Sequence, residues 1–128
     1  MKEVEYMAKL VFNYPFMEKE YKLEGKDTFY IGRFNANDIT IPNYPIFSKL
    51  SLASQQLFLN DLAKVSRVHV KLTKKEDKWY IEDVGTKGLG SNFGTFVNEL
   101  RLEVKKPYLL QNNDKIRLGT IKFIFIEE

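Results

Sequence analysis

An all-β sandwich of about ten or eleven short strands is the fold this sequence predicts, with one short helix in a long connection at residues 43–65. Two observations lead there. Apolar residues recur with period two in short runs, the spacing of a strand with one buried face. Turn-forming residues bound each run, and many short strands punctuated in this way build a sandwich. The sequence also supplies a core: 44% of its residues are hydrophobic, with ten Phe and seven Tyr. Its 128 residues suit a single domain, 1–128, that needs neither disulfide nor metal to fold.

From the N-terminus, residues 7–12 and 21–23 read as the first two strands, and Pro15 marks the turn between them. Residues 28–33 are rich in β-formers, and 38–41 alternate up to Pro42. Residues 67–72 alternate, with Val68, Val70 and Leu72 on one face. The polar stretch 74–78 turns the chain back into 79–82. Residues 95–98 and 101–102 flank a short turn, and 115–118 with 120–126 complete the set. Only 43–65 breaks the pattern. Ser51 is a suitable N-cap for a helix over about residues 52–63, with Leu52, Leu59 and Leu62 sharing one face. Such an insertion either shields an open end of the sandwich or takes part in function.

Composition removes several function classes. The absence of cysteine excludes disulfides, thiol nucleophiles and thiolate metal ligands, and one histidine cannot make a zinc site. No metal or cofactor is expected. No apolar run reaches the ~20 residues a membrane helix needs. The first residues carry Glu3 and Glu5 where a signal peptide would be apolar. These features give the expectation of a soluble intracellular protein, cytoplasmic or, in a eukaryote, nuclear. A net charge of +3 is too small to point to nucleic acid. Lys74, Lys75 and Lys78 are interleaved with Glu76 and Asp77, which reads as a solvated turn. Neither nucleic acid nor membrane is an expected partner, and the oligomeric state is left open.

The chemistry lies in separated clusters. These are Gly32-Arg33, Ser66-Arg67-Val68-His69, Asp83-Val84-Gly85-Thr86 and Asn92-Phe93-Gly94-Thr95-Phe96-Val97-Asn98. Leu109, Asp114, Ile116 and Leu118-Gly119 follow. A phosphate dianion needs fixed donors such as guanidinium forks, hydroxyls and backbone N–H groups. Arg33, Arg67 and Ser66 offer such donors at the ends of predicted strands, where sandwich loops converge.

In this order the clusters resemble the forkhead-associated (FHA) domain family. Its pattern runs G-R, S-x-x-H, D-x-G-S/T, N-G-T-x-V-N and L-x-x-x-D-x-I-x-L-G. The resemblance covers about residues 28–126. It implies an FHA-type β-sandwich that is not an enzyme. Such a module binds phosphothreonine in a partner protein and mediates phosphorylation-dependent protein–protein interaction in signalling. It implies Arg33 and Ser66 as the main phosphate contacts, Arg67 as an assisting base and Thr86 as a small hydroxyl beside the phosphate. Gly32 and His69 match positions that shape and brace the binding loops, and Asn98 one that ties a loop to its neighbour. Lys87, Ser91 and Asn92 then bear on peptide binding and sequence preference.

One place departs from the family pattern. Lys87-Gly88-Leu89-Gly90-Ser91 intervenes after Thr86, and Phe93 stands where the asparagine that holds the peptide main chain is expected. Either the glycines let the loop bulge and present Asn92, or the peptide clamp is lost. The second outcome favours an FHA-like scaffold that binds a protein partner without needing phosphate. An acid such as Asp61 or Glu82 filling the basic notch would favour the same scaffold. A hydrolase is the remaining class, because Ser66, His69 and Asp83 can be written as a triad. A separation of three on extended chain points Ser66 and His69 to opposite faces, however, and no G-x-S-x-G elbow is present.

Overall fold

The computed structural model describes residues 7–128, so Glu3 and Glu5 lie outside the described residues. The strands are β1 (Ala8–Phe12), β2 (Glu20–Lys22), β3 (Thr28–Gly32) and β4 (Ile39–Thr40) before the insertion. Helices α1 (Tyr44–Phe47) and α2 (Leu52–Leu62) follow. After them come β5 (Val70–Lys75), β6 (Lys78–Asp83), β7 (Thr95–Val97), β8 (Leu100–Arg101), β9 (Tyr108–Leu109), β10 (Asp114–Leu118) and β11 (Ile121–Glu127). One sheet runs β2-β1-β11-β10-β7-β8, and the other β4-β3-β5-β6-β9.

Alternation decides which residues meet between the sheets. In β1, Ala8, Leu10 and Phe12 are buried, and β11 answers with Ile121, Phe123 and Phe125. Antiparallel register sets Leu10 opposite Phe125 and Phe12 opposite Phe123. The Phe12 and Phe123 rings stack at 4.6 Å between centroids. The second sheet contributes Phe29, Ile31, Val70, Leu72, Trp79 and Ile81. Each such side chain, once buried, stabilises by about 1.5–3 kcal/mol relative to exposure. Two hairpins turn without glycine. Glu76 and Asp77 join β5 to β6 at φ 53 and 62, and Asn98 with Glu99 join β7 to β8 at φ 51 and 67. Positive φ at both loop residues matches the twist of the flanking strands.

Three expectations need correction. The strand expected at 67–72 begins only at Val70, and residues 66–68 are irregular. Their carbonyls are drawn sideways into loop hydrogen bonds, from Arg33 N–H to Ser66 O at 3.1 Å and from Phe34 N–H to Arg67 O at 3.1 Å. Helix α2 forms where expected, and Ser51 caps it by accepting from Ser54 N–H at 3.1 Å. Its inward face differs: Leu62 is buried and Phe58 packs edge-on to Phe16 at 5.0 Å, whereas Leu52 and Leu59 face outward. The Phe58 ring meets both Tyr14 and Phe16, and this aromatic contact selects the face of α2 that docks. Helix α1 and strand β9 were not foreseen. The first hides behind two prolines' worth of loop signal at Pro42 and Pro45, and the second is two residues long.

Candidate functional site

Connections from both sheets meet at one end of the sandwich. His69 N–H donates to Ile31 O at 2.9 Å, which aligns the α2–β5 connection with the end of β3. Gly119 N–H donates to Gly94 O at 3.0 Å, which brings the β10–β11 turn against the start of β7. Gly32 permits the closest approach. A Cβ there would stand 2.3 Å from Arg67 O, so any other residue would push the two loops apart.

His69 locks this junction from beneath and has no exposed surface. Its Nδ1 accepts from Ser66 N–H at 3.0 Å, and its Nε2 lies 3.0 Å from Gly94 O. A backbone N–H can only donate and a carbonyl can only accept, so the proton sits on Nε2. Burial pushes the His69 pKa below its ordinary value, outweighing the opposing pull of Gly94 O and Asp83. The ring therefore reaches back to its own loop, contrary to the expectation that Ser66 and His69 point to opposite faces. That expectation required extended chain at 66–68, which is absent.

Asp83 organises the long loop that follows β6. It is buried, and its carboxylate accepts from Ser91 N–H at 2.7 Å, Ser91 Oγ–H at 2.6 Å and Thr95 Oγ1–H at 2.7 Å. Ser91 Oγ in turn accepts from Gly94 N–H at 3.0 Å. These charge-assisted bonds fold residues 86–94 over the end of the sheet. The loop then touches the opposite wall, where Asn92 N–H donates to Ser66 Oγ at 3.2 Å. Val68 N–H donates to Thr86 Oγ1 at 3.3 Å.

The result is an open cleft of about 400 Å³, whose lining includes Arg33, Ser66, Arg67, Thr86, Lys87 and Asn92. Arg33 is fixed by its Nε–H, which donates to Val65 O, and by Tyr44 O–H, which donates to Arg33 O at 2.5 Å. The Arg67 guanidinium lies 5.4 Å from the Phe34 ring centroid. Among the described residues, no carboxylate lines the cleft and no salt bridge engages Arg33, Arg67 or Lys87. Asp61 instead accepts from Thr120 Oγ1–H at 2.6 Å, and Glu82 lies 3.7 Å from Lys71. Three cations without a carboxylate partner among the described residues thus line the cleft together with two hydroxyls, an arrangement suited to a dianion.

The site residues expected from sequence fall into three groups. Arg33, Ser66, Arg67, Thr86, Lys87 and Asn92 line the cleft. Gly32 and His69 lie behind it. Ser91 and Asn98 stand apart: the Ser91 hydroxyl is committed to Asp83, and Asn98 sits at the opposite end of β7. There Asn98 Nδ2–H donates to Asp114 Oδ1 at 2.9 Å and its Oδ1 accepts from Lys115 N–H at 3.0 Å, so it braces a turn remote from the cleft. Sequence reasoning overlooked Asn37, whose Nδ2 donates to Phe34 O at 2.9 Å and Arg67 O at 2.7 Å. It did not single out Ala63 or Leu89 as lining residues, and it marked Phe93, which also lines the cleft, only as a departure from the family pattern. An isolated polar residue in a turn, or an apolar one in a glycine-rich loop, carries no pattern that marks it.

Comparison with known proteins agrees with this geometry. Residues 29–119 match the family model described as the FHA domain. A 59-residue stretch is 41% identical to the probable E3 ubiquitin-protein ligase dma1 of Schizosaccharomyces pombe, covering 43% of this chain and 20% of that protein. The chain therefore spans about a fifth of that relative's length. The FHA domain of the CT664 protein from Chlamydia trachomatis has the same fold, with a TM-score of 0.66 at 21% identity over 95% of this chain and 98% of that one. EmbR of Mycobacterium tuberculosis, solved in complex with a low affinity phosphopeptide, matches with a TM-score of 0.64 at 25% identity, covering 94% of this chain and 24% of its own.

Proposed function

The chain belongs to the FHA domain family, and from that premise we propose that it binds phosphothreonine in a partner protein through the cleft at Arg33, Ser66 and Arg67. The observation that carries this reading is the meeting of Arg33, Arg67 and Lys87 in a cleft that no acid lines among the described residues. Among the described residues no carboxylate pairs with the Arg33 or Arg67 guanidinium, so both keep N–H groups for a ligand. Arg33 and Arg67 would take the phosphate charge. The Ser66 hydroxyl accepts from Asn92 N–H, which leaves its own hydrogen free to donate into the cleft. Thr86 is placed in the same way by Val68 N–H. The domain mediates phosphorylation-dependent protein–protein interaction in signalling.

A hydrolytic role lacks its general base. Both nitrogens of His69 are engaged by backbone groups, and the Ser66 hydroxyl is bonded to Asn92 N–H instead of to the imidazole. No helix among the described residues is long and apolar enough to cross a membrane.

One observation favours a second reading, a scaffold that binds protein without phosphate. Phe93 and Leu89 are exposed at the cleft, where a purely phosphate-directed site has no use for them. Calorimetry with a phosphothreonine peptide and its unphosphorylated twin separates the two. Selective binding of the phosphorylated form, reduced at least about tenfold by Arg33→Ala, supports phosphate recognition, since one charge-assisted bond contributes roughly 1.5–3 kcal/mol. Equal binding of both peptides supports the scaffold.

A further inference from the structure

Helix α2 is dressed in an unusual way for a helix that covers a core. Three of its four leucines are exposed, Leu52 at 75%, Leu57 at 72% and Leu59 at 52%, while its inward face is Gln55, Phe58 and Leu62. At 100° per residue, Leu52, Gln56, Leu59 and Ala63 fall within about 60° of one another. They form a stripe beside the docked face. Leu57 points about 140° away from Leu52 and belongs to neither.

The stripe ends in the cleft. Ala63, its last member, is exposed and lines the same cleft as Arg33, Ser66 and Arg67. Three residues further on, the chain delivers Ser66 itself. A ligand seated in the cleft and continuing past Ala63 therefore runs onto Leu59 and then Leu52. The rise of about 1.5 Å per residue places Leu52 about 16 Å from Ala63, a span that an extended peptide covers with about five residues.

We propose that the ligand is a phosphothreonine segment carrying bulky apolar side chains about three to six residues to one side of the phosphoresidue, and that the Leu52–Leu59 stripe receives them. The inference rests on the phosphothreonine reading above. Its support is the continuity of the stripe with the cleft and the exposure of leucines on a face that the described residues leave uncovered. Phosphate supplies the anchor, and α2 supplies sequence selection by burial of apolar area.

The test uses three phosphothreonine peptides: a short core, and the core extended with leucines on either the N-terminal or the C-terminal flank. Affinities are measured by calorimetry for the full chain, for Leu52→Ser with Leu59→Ser, and for Leu57→Ser. All three substituted positions are exposed, so melting temperatures should match. One extended peptide should bind wild type roughly tenfold more tightly than the core. The double variant should lose that gain while binding the core peptide equally well, and Leu57→Ser should keep it. If neither extension adds affinity, or the double variant keeps the gain, the stripe is not a binding surface. Sedimentation of wild type as a dimer that the double variant abolishes would assign the stripe to a second copy and overturn the proposal. If the phosphorylated core binds no better than its unphosphorylated twin, the phosphothreonine reading itself fails, and the stripe proposal fails with it.

Discussion

Asn92 and Ser66 lie twenty-six positions apart, yet the main chain of one donates to the side chain of the other at 3.2 Å. The bond ties the rim loop to the α2–β5 connection and fixes the direction of the Ser66 hydroxyl. An O–H that has accepted one donor keeps its hydrogen for another partner. The cleft is therefore preorganised at its serine before any ligand arrives.

Ser66→Ala should accordingly cost affinity and, more modestly, stability. Loss of a hydroxyl that donates to a charged phosphate removes about 1.5–3 kcal/mol of binding. The Asn92 N–H also loses its partner, at about 1 kcal/mol of stability, tempered by partial exposure of the loop. Calorimetry should show at least a tenfold weaker complex, and chemical denaturation only a slightly lower midpoint.

Asn92 donates its main-chain N–H to Ser66, and its side chain is exposed at the cleft, where a bound peptide would meet it. Asn92→Ala keeps the first and deletes the second. Peptide affinity should fall about fivefold, the worth of roughly one hydrogen bond, with no change in melting temperature. Unchanged affinity would mean that no side-chain clamp operates on the peptide main chain, as the Phe93 substitution in the family pattern allows.

Asp83→Ala should be far more damaging to the fold. It deletes the acceptor of three hydrogen bonds and strands Thr95, which has no exposed surface. A loss of at least about 3 kcal/mol is expected in denaturant unfolding. Phosphopeptide affinity should fall too, because residues 86–94 lose their inner anchor. Retention of both would mean that the loop is held by other contacts.

His69 predicts an acid-sensitive fold. Its pKa in the folded protein is depressed, chiefly by burial, below the value of about 6.5 that it takes when unfolded. The unfolded chain therefore binds the extra proton first. Stability from this residue is fully present above about pH 6.5 and is lost as pH falls towards and through the depressed folded value. Protonation at Nδ1 would also set a donor against Ser66 N–H. His69→Gln should unfold more readily at neutral pH, by about 1–3 kcal/mol, and should show a flatter stability profile between pH 7 and 5. Parallel profiles for the two proteins would remove His69 as the titrating group.

Gly32→Ala tests how closely the two loops must approach. The added methyl would meet Arg67 O at 2.3 Å, and relief requires moving backbone, not a flexible side chain. A destabilisation of about 1–3 kcal/mol is expected, accompanied by weaker phosphopeptide binding as Arg33 and Ser66 separate. A variant as stable as wild type would show that the loops can part without cost.

The sequence by itself determined the sandwich, most of its strands and the identity of the cleft's charged groups. Period-two burial is a local pattern, so residues such as Leu10 and Phe12 announce their own face. The Gly32-Arg33 and Ser66–His69 clusters are legible because short motifs carry fixed chemistry. Tertiary structure alone decided what those groups do with their bonds. It curled residues 66–68 out of the strand, so that His69 supports Ser66 from below. It also gave the Ser91 hydroxyl to Asp83 and carried Asn98 to the far end of β7. It turned α2 on the Phe58 ring, leaving Leu52 and Leu59 exposed. The curl at 66–68 and the turn of α2 depend on contacts between segments distant in sequence, such as Arg33 with Ser66 and Phe58 with Phe16. No local periodicity encodes such contacts, because a hydrogen bond between loops is set by how two sheets dock and not by the residues that flank either partner.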